Sequence, residues 1–164
     1  MDRDNSREGE LMAKLKFKVE GMKELQKSLD KLGKVPQKHV TASSKKGMTI
    51  VRNEARTKAP YLSGDLEKGI ILVPEKTKKG KKVYRVVFDS KMNDIFQKPN
   101  SEGKITGYYP VSQEYGYFAK SGRYIPGFAF TRGALENKSP EVEKTIVTTM
   151  KTKIDAEIAK VGLK

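Results

Sequence analysis

A chain of 164 residues with a formal charge of +14, no Cys, no Trp and a single His excludes disulfide frameworks, thiolate metal sites and cysteine nucleophiles, and its length suits one domain. Its 37 Leu, Ile, Val and Phe residues make a lean core, which leaves surface for a partner to complete. The excess of Lys and Arg favours anionic partners, no apolar run approaches the roughly 20 residues of a membrane helix, and the charged start Met1-Asp2-Arg3-Asp4-Asn5 is not of signal-peptide type, so the chain reads as made and used in a cytoplasm or in a particle assembled there.

Residues 1–12 are polar and aperiodic and are expected to be a disordered N-terminal extension, with Met12 an alternative start. Residues 13–164 are expected to form one α+β domain. Lys14-Leu15-Lys16-Phe17-Lys18-Val19 alternates strictly, the pattern of a half-buried strand with lysines on its wet face. Met22, Leu25, Leu29 and Leu32 recur at helical spacing, and Gly33 stops that helix. Pro36 opens a second helix running to about Lys58, where Ala59-Pro60 ends it. Its inner face carries Val40, Ile50, Val51 and Ala55 with the small residues Ala42, Ser43 and Gly47, so another element can pack close.

Tyr61 to Leu66 reads as a turn, with Gly64 suited to a positive φ. Ile70–Val73 and Val83–Phe88 read as strands joined by a hairpin loop, Lys76 to Lys82, centred on Gly80. Residues 89–107 read as a long polar loop, of a length that is usually functional or disordered. Its part 91–106 is expected to be mobile in the free subunit and to contact a neighbour in the assembled ring, the alternative being a passive connection. Tyr108–Phe118 is predicted as a strand, 122–127 as a loop, and Phe128–Glu136 as a short helix or turn. Ser139-Pro140-Glu141 has the form of a helix start, followed by an inner face of Val142, Ile146, Met150, Ile154 and Ile158. The expected fold is a small antiparallel sheet packed against N-terminal helices and a long C-terminal helix.

No constellation for catalysis stands out. His39 has no companion ligand for a metal site of common type, and any Ser-His-acid triad would have to use it. Gly-Lys pairs at 33–34, 80–81 and 103–104 lack the spaced glycine of a phosphate loop. Carboxylates do not gather as in a two-metal nuclease. The chain is therefore expected to be no enzyme and to carry no cofactor or metal. Two features point instead to binding. Lys76, Lys78, Lys79, Lys81 and Lys82 form a basic tract able to meet phosphates without reading sequence, or simply a solvated hairpin tip. Eight of the thirteen aromatics lie between Tyr108 and Phe130, in a pattern that suits core plus protein interface better than base stacking.

The order of motifs resembles a known family. Gly21-Met22-Lys23-Glu24-Leu25 opens a helix, Ala55-Arg56-Thr57-Lys58-Ala59-Pro60 closes a longer one, and Leu62-Ser63-Gly64-Asp65-Leu66 follows. Glu114-Tyr115-Gly116 and Pro126-Gly127-Phe128-Ala129-Phe130-Thr131-Arg132-Gly133-Ala134-Leu135 come later. Together they are similar to the tailed-phage tail-completion or head–tail joining (neck) proteins, with Tyr117 where the family usually has Thr and Gly127 inserted between Pro126 and Phe128. The resemblance implies a ring-forming α+β subunit, expected as a hexamer, that joins or completes the tail and lets DNA pass. Implied partners are further copies of the chain, connector or head-completion proteins, tail terminator or tail tube proteins, and DNA in the lumen, with no membrane. The implied location is the virion, after assembly in the host cytoplasm. Ile95, Phe96, Tyr115, Tyr117 and Tyr124 are the interface candidates, and Ile95-Phe96 is expected to be an anchor that buries only in the assembly. The competing reading is a small basic, sequence-nonspecific nucleic-acid-binding protein.

Overall fold

The computed structural model describes residues 37–76 and 82–161. The predicted extension, the strand at 14–19, the first helix, and Lys78, Lys79 and Lys81 lie outside the described residues. Within them, two long helices carry a set of short hairpins. Helix α1 (Gln37–Lys58) is followed by the single-turn α2 (Asp65–Gly69), then β1 (Ile70–Pro74) and β2 (Tyr84–Phe88). A 3-10 turn (Ser90–Met92) and the one-turn α3 (Asn93–Phe96) lead to β3 (Gln97–Pro99) and β4 (Ile105–Tyr108). Next come α4 (Tyr109–Tyr115), β5 (Gly116–Phe118), β6 (Tyr124–Pro126) and the 32-residue α5 (Phe130–Val161).

The core is the seam between α1 and α5. His39, Val40, Ser43, Ser44, Gly47, Val51 and Ala55 are the buried positions of α1, and they face Phe130, Ala134, Val142, Ile146 and Met150 of α5. The small-residue face of α1 allows the close approach that its sequence leads one to expect. A Cβ at Gly47 would lie 2.6 Å from Ile146 Cγ1 and 3.2 Å from Val142 Cγ1. The helices run antiparallel, with His39 Nε2 3.1 Å from Glu157 Oε1 at one end and Lys138 Nζ 3.9 Å from Glu54 Oε2 towards the other. No helix among the described residues is long and apolar enough to cross a membrane.

Among the described residues the hairpins are three separate two-stranded antiparallel ladders, not one small sheet. Their strands are three to five residues long, and all but β2 contain Gly or Pro, which keeps the ladders short. The β1–β2 ladder pairs Ile70 with Phe88 and Leu72 with Val86. Ile70, Val86 and Phe88 from one face of that ladder pack on the helix seam. Arg56 holds the ladder to α1, donating from Nε to the Ile70 carbonyl at 2.9 Å and from a terminal nitrogen to the Lys68 carbonyl.

Three expectations are corrected. Residues 89–107 are not a long loop. Asp89 caps the 3-10 turn through its side chain, α3 follows, and β3–β4 forms a projecting hairpin. Its tip is tied by Asn100, whose Oδ1 accepts from the Glu102 and Lys104 amides, with Gly103 at φ +78°. Residues 108–118 are not one strand: β4 ends at Tyr108, Pro110 sits in the first turn of α4, and Gly116 at φ +90° ends that helix. Ser139-Pro140 is not a helix start, because α5 already runs through it from Phe130. The proline is held inside the helix because Phe130 and Ala134 before it and Val142, Ile146 and Met150 after it are all buried in the same core.

Gly64, at φ +81°, supplies the left-handed residue just before α2, and the Tyr61 ring lies against it. Gly64→Val is expected to lower stability by more than about 1 kcal/mol, since a β-branched residue is strained there. Lys76→Ala, at an exposed position, is expected to stay within about 0.5 kcal/mol. Equal urea midpoints for the two variants would contradict the turn geometry.

Candidate partner interface

Two sequence motifs far apart in the chain meet at the start of α5. Glu114, near the end of α4, is buried, and its carboxylate accepts the Thr131 amide at 2.9 Å and the Arg132 amide at 3.0 Å. These are first-turn amides of α5 that no helical carbonyl can satisfy, and the negative charge sits at the positive end of the helix dipole. The backbone completes the junction: the Phe128 amide donates to the Gln113 carbonyl and the Ala129 amide to the Glu114 carbonyl. Ala129 takes φ +48° to turn the chain into the helix, and its carbonyl accepts from Gly133.

Glycine is required on both sides of this junction. A Cβ on Gly127 would overlap the Glu114 carbonyl oxygen and lie 2.5 Å from the Gly116 nitrogen. A Cβ on Gly116 would overlap the Ile125 carbonyl oxygen. Glu114-Tyr115-Gly116 and Pro126-Gly127-Phe128 are thus two halves of one clamp, and Gly127 is what lets the halves touch.

The clamp sets the β5–β6 hairpin on the surface. Gly116 pairs with Pro126, Tyr117 with Ile125 and Phe118 with Tyr124. The Tyr124 hydroxyl donates to the Tyr115 carbonyl at 2.5 Å, which locks the hairpin to the end of α4. Phe118 is 75% exposed, and its ring lies 5.3 Å from that of Tyr124. Tyr115, Tyr117, Tyr124 and Phe128 are exposed as well. Of the eleven exposed large hydrophobic residues described, ten fall between Tyr61 and Phe128, and only Val147 lies on the long helices. The segment between the two long helices therefore carries most of the described exposed apolar side chains.

Of the interface candidates, Tyr115, Tyr117 and Tyr124 lie together on this hairpin and at its base. Ile95 is half exposed on α3, a separate element. Phe96 is not an exposed anchor. It is 1% exposed, its ring fills the space above Gly69, and it makes edge contacts with Phe88 and Tyr108 at centroid distances of 6.5 and 6.0 Å. Burial, reinforced by the Asp89 charge, holds the phenol of Tyr108 above its usual pKa range, so it remains the neutral partner in this aromatic group. Sequence reading did not single out Tyr61 and Leu62, about 80% exposed beside the Gly64 turn, or Phe118 and Phe128. Phe118 and Phe128 belong to the aromatic cluster between Tyr108 and Phe130, Tyr61 and Leu62 to the predicted turn, and the exposure of all four is legible only in the structure.

Of the basic tract, Lys76 is exposed, and Lys82 is half-buried with its ammonium 5.6 Å from the centre of the Tyr84 ring. His39 is buried at the α1–α5 seam beside Glu157, and among the described residues no three His, Asp or Glu side chains gather as a metal site would need.

Compared with protein-family models, the chain matches the one described as “HK97-gp10_like: Bacteriophage HK97-gp10, putative tail-component” over residues 23–116, more than half its length. That span ends at Gly116, in the middle of the clamp. The comparisons with curated proteins and with solved structures found no match.

Proposed function

We propose, because the chain belongs to the HK97-gp10-like family of bacteriophage tail components, that its subunits assemble into a ring at the head–tail junction or the tail end, joining or completing the tail around the passing DNA. Membership makes the protein a structural component of a phage tail, which works in the virion by contacting other virion proteins. The ring, its place in the tail and the passage of DNA are our reading.

One observation carries it: the exposed large apolar residues are gathered between Tyr61 and Phe128 while the long helices expose almost none. A monomer gains nothing from such a distribution, whereas a subunit with two or more neighbours does. Tyr115, Tyr117 and Tyr124, with Ile95 on α3, are the partner-facing residues in this reading. Lys76 and Lys82, with the neighbouring lysines of the tract, supply the basic charge for DNA.

Sedimentation velocity of the full chain tests the ring. A closed species of fixed copy number is expected to grow with protein concentration, and a monomer at every concentration would overturn the reading. The same protein is expected to bind duplex DNA weakly, without sequence preference, and to release it as salt rises, since only counterion release drives the contact. Tight, sequence-selective binding at physiological salt would favour a nucleic-acid-binding protein instead.

A further inference from the structure

We propose that the β5–β6 hairpin is a preformed plug for a protein other than this one, whose receiving pocket is apolar with an acidic rim. The proposal rests on the tail-component reading and names the chemistry of one partner. Three properties of the hairpin lead to it.

The first is its rigidity. The tip is closed by backbone bonds, from the Ala119 amide to the Arg123 carbonyl at 2.8 Å and from the Gly122 amide to the Ala119 carbonyl at 2.9 Å, with Gly122 at φ +78°. The base is held by the Gly116–Gly127 contact and by the Tyr124 hydroxyl on the Tyr115 carbonyl. Little freedom is left to lose on docking, which is where much of the cost of association arises.

The second is its side chains. Phe118, the most exposed phenylalanine described, stands beside Tyr124, with Tyr117 next to it in the strand. Aromatic anchors on a fixed backbone are the residue types that dominate binding energy when a pocket encloses them.

The third is charge. The exposed tip Lys120-Ser121-Gly122-Arg123 carries two cations and no acid. A pocket that accepts the aromatics brings its rim against these cations, and an acidic rim is the one that attracts them. Among the described residues, a second copy of this chain offers no such rim. Its described exposed acids, Glu67, Asp94, Glu102, Glu136, Glu141 and Asp155, each have a Lys or Arg within four residues, and the whole chain carries +14. The hairpin, with Tyr117 and Tyr124, therefore faces another protein, and contacts between copies fall to the exposed apolar residues outside it, Tyr61, Leu62, Ile95 and Ile105.

The test uses the full chain, immobilised, with a random-peptide display library as the probe, and sedimentation as a parallel measurement. Enriched peptides are expected to combine Asp or Glu with Leu, Phe or Trp. Their affinity is expected to fall about tenfold or more for Phe118→Ser and for the double variant K120E/R123E. All these positions are exposed, so the variants are expected to fold as the parent does, and circular dichroism checks this. The copy number of both variants is expected to equal that of the parent. Enriched peptides without an acidic excess, or peptides that bind both variants like the parent, would overturn the proposal. A lower copy number for Phe118→Ser would also overturn it, by making the hairpin a contact between copies, while leaving the tail-component reading intact. A parent chain that never self-associates counts against the ring alone, and the peptide measurements then decide the hairpin's partner.

Discussion

Phe96→Ala is expected to lower stability by about 3–5 kcal/mol, the usual cost of emptying a buried phenylalanine site. The ring has no room to be replaced by collapse of its surroundings. It fills the place a side chain at Gly69 would take, and Phe88 and Tyr108 meet it edge-on. Gly69 ends α2, Phe88 ends β2 and Tyr108 ends β4, so one ring joins three elements that share no ladder. The midpoint of thermal unfolding is expected to fall by about ten degrees or more. Ile95→Ala, next in the chain but half exposed, is expected to cost less than about 1 kcal/mol. The pair separates a core residue from a half-exposed one: Phe96→Ala costing no more than its neighbour would restore the exposed anchor that the sequence suggests.

The second large effect is a contrast of sign between two glycines six residues apart. Gly127→Ala places a methyl group on the Glu114 carbonyl and 2.5 Å from the Gly116 nitrogen. Both obstacles are backbone, so the clamp must open. Overpacking costs about 1–3 kcal/mol, and moving Glu114 away from the Thr131 and Arg132 amides forfeits a helix cap worth roughly another 1 kcal/mol. Gly133→Ala, in the first turn of α5, meets nothing closer than 4.0 Å and is expected to stabilise by about 0.5–1 kcal/mol. Urea unfolding of both variants reads the two signs directly. A neutral Gly127→Ala would mean that the two motifs do not touch as described.

Much of the helical architecture is legible in the residues. The α1 face was readable because Val40, Gly47, Val51 and Ala55 recur at helical steps, and Ala59-Pro60 marks the end. The β1–β2 ladder was readable from its β-branched and aromatic runs. What misled are places where local chemistry and distant contacts disagree. Ser139-Pro140-Glu141 has every local sign of a helix start, yet the real start is capped by Glu114, whose backbone is fifteen residues before Ala129 in sequence. Residues 89–107 lack apolar periodicity because their order comes from an Asp cap, an Asn-tied turn and one buried ring, none of which produces a repeating pattern. At the candidate interface, residue types were readable and exposure was not: Phe96 and Phe118 are chemically alike and end at opposite extremes of burial.

The antiparallel seam of α1 and α5 has a kinetic consequence. The two helices that hold the core are separated by the whole stretch from Ala59 to Ala129, and His39 meets Glu157 across 118 positions of chain. The seam therefore cannot close until a long loop has been drawn together, unless that loop first shortens itself. The β1–β2, β3–β4 and β5–β6 hairpins are local, and hairpins of this kind form in about 1–10 μs. Each one that forms reduces the effective span left to close, and with it the entropy charged to the helix pairing. The hairpins, which lie in the segment that carries most of the described exposed apolar side chains, are thus expected to form before the helices dock, so a subunit with a closed seam has that surface already arranged.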